Sequence, residues 1–146
     1  MKIENIMTRN PATATLNTSL HDVAQMMAEN DCGCIPVVER EGAKVPIGML
    51  TDRDIVLRTV AHNKNPLNMI AGEVMTDHVV TVHPDTTLED CCEAMEQNHI
   101  RRVPVVDEKG EIVGMIAQAD IARDAPEEET AHLLREVSES SLSIAA

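Results

Sequence analysis

Two stretches of this chain that lie 68 residues apart carry nearly the same pattern. Residues 30–39 read NDCGCIPVVE and residues 98–107 read NHIRRVPVVD. A fixed offset that aligns identical residues indicates an internal repeat. The same offset aligns these pairs: Met7 with Met75, Thr8 with Thr76, Thr13 with Thr81, Leu20 with Leu88, Asp22 with Asp90, Met27 with Met95, and Pro36 with Pro104. The chain therefore consists of two copies of one pattern, and each copy is expected to form the same arrangement of strands and helices.

Beyond the shared proline the offset falls to 66, which aligns GMLTDRDI (48–55) with GMIAQADI (114–121). The two extra residues of the first copy lie in EREGAKVP, between two β-rich runs. Length changes cost least in surface turns. The position of the difference therefore predicts a hairpin in each copy.

Each copy is predicted to fold as β-α-β-β-α. Thr86 followed by Glu89 predicts a capping box at the first helix of the second copy, and a second helix is predicted to begin near Asp52 or Gln118. Because the chain has no Phe, Tyr or Trp and nine Met, its core must be aliphatic. Apolar residues at helical spacing predict the first helix of each copy: Leu20, Val23, Ala24 and Met27, and Leu88, Cys91, Cys92 and Met95.

These predictions give an α+β (α/β-like) fold of two repeats with pseudo-twofold symmetry, whose sheets pack against helices. Pro126 followed by three glutamates is typical of a helix start. We expect the following division: repeat 1 at 1–62, a linker at 63–72, repeat 2 at 73–125, and an acidic helix and tail at 126–146.

The charge balance narrows the possible partners. The formal net charge is −13 and the pI is near 4.7, so nucleic acid and anionic membranes would be repelled. No apolar run reaches the length of a membrane span, and the amino terminus has no signal-peptide core. We therefore expect a cytoplasmic protein whose four cysteines stay reduced.

The repeated motifs resemble those of the tandem cystathionine-β-synthase (CBS) domain pair, also called a Bateman module. The resemblance rests on IMT, IPVVE, VPVVD, GMLTDRDI and GMIAQADI, and covers about residues 3–124. It implies a free-standing regulatory module rather than an enzyme, which forms a homodimer through its helices and signals to an unidentified protein target. It implies no required cofactor. The candidate ligands, which would bind in the cleft between the repeats, are AMP, ADP, ATP, S-adenosylmethionine and NAD.

The resemblance implies a main ligand site at TDRD, residues 51–54. In the family, the acid of this motif holds the ribose hydroxyls and the hydroxyl residue faces phosphate, which gives these roles to Asp54 and Thr51, with Arg53 beside them. A carboxylate suits vicinal hydroxyl donors, and guanidinium groups compensate phosphate charge. The other repeat is expected to complete this site with Val80, Thr81, Ile100, Arg101, Arg102, Val103 and Pro104.

A second and weaker site is implied at AQAD, residues 117–120. It keeps Asp120 but has Ala117 in place of the hydroxyl residue. Its expected completing residues are Thr13, Cys34, Ile35 and Pro36. Because Cys34 falls where the other site has Arg102, we expect this site to bind phosphate poorly.

Other interpretations of these residues stay open at this stage. Thr51 with Asp54 is also an ordinary helix cap, and the two roles are compatible. The chain is also consistent with a structural interaction module that binds no nucleotide. A redox or metal-responsive role for Cys32 and Cys34 ranks lower, since their spacing does not match zinc sites. We predict no metal site.

Overall fold

The structure is a computed structural model that describes residues 1–124, 127, 128 and 130–136. Residues 130–136 are helical. The other main elements are β1 (Thr8–Arg9), β2 (Ala14–Thr15), α1 (Leu20–Glu29), β3 (Cys34–Val38), β4 (Pro46–Thr51), α2 (Asp52–Arg58), α3 (Ala71–Val74), α4 (Leu88–Asn98), β5 (Arg102–Val106), β6 (Ile112–Ala117) and α5 (Gln118–Asp124). This α+β composition and the β-α-β-β-α order are confirmed, although the first strand of the second copy is reduced to one bridge at Val82.

Side-chain caps determine where the first helix of each copy begins. Ser19 and Thr87 each accept the backbone N–H of the acid three residues later, which is Asp22 or Asp90. The predicted capping box that starts at Thr86 is wrong by one residue. The hydroxyl of Thr86 accepts the N–H of His83 instead, so it closes the turn before the helix.

The apolar faces of α1 and α4 build two separate cores. The buried helical residues match the prediction at Leu20, Val23, Met27, Leu88, Cys91, Cys92 and Met95. Ala24 was predicted to share this face but is exposed. The second core also contains Leu133, which comes from the helical residues 130–136 and is fully buried. The predicted helix start at Pro126 and the tail after residue 136 lie outside the described residues.

The compact units of the structure do not follow the repeat boundaries. We use "first-copy unit" for residues Pro11–Val79 and "second-copy unit" for Met1–Asn10 together with the described residues from Val80 onward. Residues 1–10 therefore lie with the second copy, and residues 73–79 lie with the first. The reason is strand pairing, because each of these segments completes an edge of the other copy's sheet.

We call residues 1–10 and 73–79 the exchanged segments, and they pair in equivalent ways. In the second-copy unit, β1 lies antiparallel to β6, with Thr8 opposite Met115, in a sheet of order β1-β6-β5. In the first-copy unit, the sheet has the order β2-β3-β4, and Thr76 bridges to Met49 on β4. The backbone amides of Met49 and Thr76 donate to each other's carbonyls at 2.9 and 2.8 Å. Each hairpin is thus bordered by residues that the sequence assigns to the other repeat.

A methionine lies over a glycine at each of these pairings. A Cβ built on Gly114 would lie 2.6 Å from the Sδ of Met7 and 3.0 Å from the carbonyl oxygen of Thr8. A Cβ on Gly48 would lie 3.0 Å from the carbonyl oxygen of Thr76 and closer still to the Sδ of Met75. Gly48 and Gly114 therefore leave the space in which the exchanged segments approach the sheet.

None of the helices in the described part of the chain combines the length and apolar character needed to span a bilayer.

We predict that Gly48→Ala lowers the free energy of unfolding by roughly 1–3 kcal/mol, the usual cost of forcing extra atoms into a packed site. Gly114→Ala should behave alike, because its surroundings are equivalent. Urea denaturation measures both effects. A loss of stability in Gly42→Ala would have a different cause, because no atom lies near its added Cβ and its φ of +84° itself disfavours alanine. Adding Met75→Ala to Gly48→Ala should recover part of the loss, and an unchanged stability of Gly48→Ala would contradict the packing argument.

Candidate functional site

Thr51 and Asp54 form a reciprocal cap at the start of α2. The Thr51 hydroxyl accepts the Asp54 N–H at 3.0 Å, and Oδ2 of Asp54 accepts the Thr51 N–H at 3.1 Å. The local interpretation of this motif as a helix cap is therefore confirmed. The cap uses one oxygen of Asp54 and leaves Oδ1 as the oxygen available for other partners.

Arg58 is a neighbour of Asp54 that the sequence reasoning missed. Its Nη2 lies 3.7 Å from Oδ1 of Asp54, and the guanidinium also donates to the Val74 carbonyl and the Thr76 hydroxyl. The signal was present in the sequence, because an acid and an arginine four residues apart share one helix face. At 3.7 Å, and with nearly half of the arginine exposed, the ion pair is loose.

A second carboxylate lies at the same helix start. The Asp52 side chain lies against Gly33, where an added Cβ would be 2.9 Å from Oδ2, and its Oδ1 accepts the Arg53 N–H. The Asp52 N–H in turn donates to the Gly33 carbonyl at 3.0 Å. Two acids therefore border this helix start, so a phosphate bound here would need compensating cations.

In the second copy, both carboxylate oxygens of Asp120 accept hydrogen bonds, whereas only one oxygen of Asp54 does so among the described residues. Its Oδ2 accepts the Ala117 N–H at 2.8 Å, while its Oδ1 accepts a bond from Arg123, and the residue is 7% exposed. Ala117 provides no hydroxyl to complete the cap. Both oxygens of Asp120 already have partners, which is consistent with the predicted weaker second site.

Arg101 and Arg102 lie next to the helix start of their own copy. Arg102 is half-buried at the start of β5, opposite Ala117, and the exposed Arg101 accepts the Gln118 N–H at its carbonyl. Cys34 stands opposite Thr51 in the same way. Within the second-copy unit the arginines therefore neighbour the Asp120 motif. Their predicted contribution to the Thr51–Asp54 site stays a prediction.

The remaining predicted site residues divide by burial. Ile35, Pro36, Val103 and Pro104 are buried in β3 and β5, while Thr13, Val80 and Ile100 are half-buried, and Arg53 and Thr81 are exposed. The structure brings together Arg53, Thr51 and Asp54 at one helix start. The residues predicted to complete each site belong to the other unit, so completion of the sites stays a prediction.

The cysteines do not form a metal centre in the described part of the chain. The described residues contain no group of three or more His, Cys, Asp or Glu side chains able to hold a metal ion. Cys91 and Cys92 are buried core residues, as predicted. Burial, and secondarily the neighbouring Cys92, raises the pKa of Cys91 to about 12.

Comparison with known proteins decides the family. The profile of the CBS domain matches this chain twice, at residues 3–60 and 71–127. The chain belongs to the CBS domain family. The two matches cover both copies of the repeat, so the chain contains a tandem CBS pair.

Several CBS proteins are similar over most of their length. The CBS domain-containing protein YhcV of Bacillus subtilis is 38% identical over 88% of this chain and 89% of that protein. The crystal structure of Hypoxic Response Protein I, which has two coordinated zinc ions, is 32% identical with a TM-score of 0.75 and covers 86% of this chain and 100% of that chain. This likeness supports the fold of the present chain. The zinc ions are reported for Hypoxic Response Protein I.

A second similar structure contains adenosine compounds. It is the CBS domain pair of the protein MJ0100 in complex with 5′-methylthioadenosine and S-adenosyl-L-methionine. It is 28% identical to this chain, with a TM-score of 0.74, and covers 84% of this chain and 98% of that chain. The MJ0100 pair therefore binds adenosine-containing ligands.

We predict that Cys91 makes the folded protein sensitive to high pH. Its pKa is 9.0 when unperturbed and about 12 when folded. Its contribution to stability is therefore complete below pH 9 and is lost as the pH rises towards 12, because only the unfolded thiol ionises readily. Urea denaturation at pH 8 and pH 10.5 measures the free energy of unfolding. Its decrease between these two pH values should be smaller in Cys91→Val than in the wild type. Valine is chosen because Val23 occupies the equivalent position in the first copy. Equal losses in both proteins would contradict the prediction.

Proposed function

We propose that this CBS pair is a regulatory module that binds an adenosine-containing ligand, with Asp54 as the acid that holds the ribose. The observation that supports this most is the arrangement of the Asp54 carboxylate. Its Oδ2 is held by the cap, and among the described residues its Oδ1 has only a loose ion pair, while the side chain is 19% exposed. A carboxylate fixed in this way is preorganised to accept hydroxyl donors.

The ligand class is supported by the MJ0100 pair, which binds methylthioadenosine and S-adenosylmethionine. The acids Asp52 and Asp54 lie at the proposed site together with two cations of the same helix, the exposed Arg53 and Arg58, and Arg58 is already engaged by Asp54, Val74 and Thr76. An adenosine ligand with little negative charge suits these surroundings directly. AMP, ADP, ATP and NAD stay candidates if Arg101 and Arg102 compensate their phosphates.

In this proposal the ligand shifts the population of conformations that an unidentified protein target recognises. The non-enzymatic character, the cytoplasmic location and the absence of a required cofactor stay predictions from the sequence.

The ligand proposal is tested by thermal unfolding with AMP, ADP, ATP, NAD, S-adenosylmethionine and 5′-methylthioadenosine. A ligand at 100 times its Kd should stabilise the protein by about 2.7 kcal/mol. Asp54→Asn should remove most of the shift, since the amide keeps an acceptor for the cap but loses the charge that attracts the hydroxyls. Asp120→Asn should have a smaller effect.

Asp22→Asn is the matched control, because it removes an exposed acid from another helix start of the same unit. It should leave the ligand shift unchanged. If none of the six compounds raises the Tm, the chain is not a sensor of this class, and the structural interaction module becomes the better interpretation.

We also propose a homodimer, on the evidence of exposed apolar side chains near α2. Val56, Leu57 and Val60 are 53%, 44% and 60% exposed, and the exposed cations Arg53 and Lys64 lie nearby in the sequence. A chain with net charge −13 offers acidic surface to such a patch, which makes a second copy a complementary occupant.

The dimer is tested by light scattering coupled to size-exclusion chromatography. The wild type should have twice the 16.0 kDa mass of one chain, and Leu57→Asp combined with Val60→Asp should shift it towards the monomer. Val45→Asp alters another exposed apolar residue of the same unit and should leave the mass unchanged. A monomeric wild type, or a dimer that survives the double substitution, contradicts this interface.

A further inference from the structure

Arg58 joins the acid of the proposed site to a distant segment of the first-copy unit. Its Nη1 donates to the carbonyl of Val74 at 2.8 Å, and its Nη2 donates to Oγ1 of Thr76 at 3.1 Å. The same Nη2 lies 3.7 Å from Oδ1 of Asp54. One guanidinium therefore interacts with the ligand-site acid and with residues 74–76 at once.

Residues 74–76 anchor the chain just before it leaves the first-copy unit. Thr76 exchanges two backbone hydrogen bonds with Met49, and Met75 packs over Gly48. Three residues later the chain passes into the second-copy unit, between Val79 and Val80. Among the described residues, the chain crosses between the units at one other place, between Asn10 and Pro11. Arg58 therefore helps to hold residues 74–76, which lie just before one of the two points at which the chain passes between the units.

The second copy has no equivalent of this connection. Asp124 occupies the position that corresponds to Arg58, and the adjacent Arg123 is bonded to Asp120. In the part of the chain that the structure describes, no hydrogen bond of Arg123 reaches residues 6–8, which correspond to residues 74–76. The two copies therefore differ in whether the motif acid is linked to the exchanged segment, and the second copy provides a built-in control.

We propose that Arg58 is a positioning residue that couples the state of Asp54 to the anchoring of residues 74–76. Since Oδ2 of Asp54 is held by the cap, Oδ1 is the oxygen that ribose hydroxyls would reach. Hydroxyl donors at Oδ1 disperse the negative charge that attracts Arg58. Arg58 is then held less firmly, and its bonds to Val74 and Thr76 weaken. This inference rests on the proposed function for its ligand step only.

Hydrogen exchange at the backbone amides of Met49 and Thr76 measures this coupling without any ligand, because each amide is protected by the other residue's carbonyl. Asp54→Asn removes the charge and keeps a cap acceptor, so exchange at both amides should rise roughly two- to fivefold, the scale of a partly exposed ion pair. Arg58→Met should raise it at least as much. The double variant should exchange no faster than Arg58→Met alone, and Arg58→Lys should retain part of the protection.

The non-additivity distinguishes coupling from a merely structural role of Arg58. If the two residues acted independently, the effects of Asp54→Asn and Arg58→Met on exchange would multiply. Multiplying effects, or an Asp54→Asn variant with wild-type exchange, would overturn the proposal. Asp120→Asn and Arg123→Met are the matched controls in the second copy, and they should leave Met49 and Thr76 unchanged.

A second experiment tests the ligand step with S-adenosylmethionine or AMP, whichever gives the larger thermal shift. Binding should raise exchange at Thr76 in the wild type and should not do so in Arg58→Met. A ligand-induced rise that persists in Arg58→Met overturns the coupling. If neither compound binds, the proposed function fails, and the ligand-free exchange experiment still decides whether Asp54 and residues 74–76 are coupled.

Discussion

The backbone pairing between exchanged segments and the hairpins of the other copy is the interaction on which the rest of the structure depends. Thr76 on Met49, and Thr8 opposite Met115, close the exposed edge of β4 and β6. An open strand edge presents unpaired N–H and C=O groups. Gly48 and Gly114 make these pairings possible, because any larger residue would meet the methionine that lies above. The cores, the helix starts and the link to Arg58 are all built on these completed sheets.

Much of the fold could be predicted from the sequence because the signals were local. Periodicity located α1 and α4, and the two offsets located the hairpins. Errors occurred where a prediction depended on one residue or on distant partners. Thr86 and Thr87 are both good caps, and in the structure Thr86 closes the turn at His83 while Thr87 caps the helix. Ala24 fits the helical spacing, but its burial depends on what packs beside it.

The exchange of segments could not be predicted, because a pairing of two residues has no periodicity of its own. Nothing local indicates that Thr8 pairs with a strand more than a hundred residues away. The candidate site could likewise be predicted only where its features are local. The motif and the Thr51–Asp54 cap follow from the sequence, whereas the contact of Arg58 with Val74 depends on the tertiary fold. Its helical spacing from Asp54 was visible, but its bonds to the exchanged segment were not.

The segment exchange also has a consequence for how such a chain can arise. Each copy donates one edge segment and accepts one, so a single copy would be left with an unpaired hairpin edge and a segment without a partner. Two separate copies could satisfy each other in the manner of a domain-swapped dimer. The present chain then corresponds to that dimer with its two halves joined covalently. Gene duplication and fusion would have preserved the pairing while allowing the two acids, Asp54 and Asp120, to acquire different neighbours.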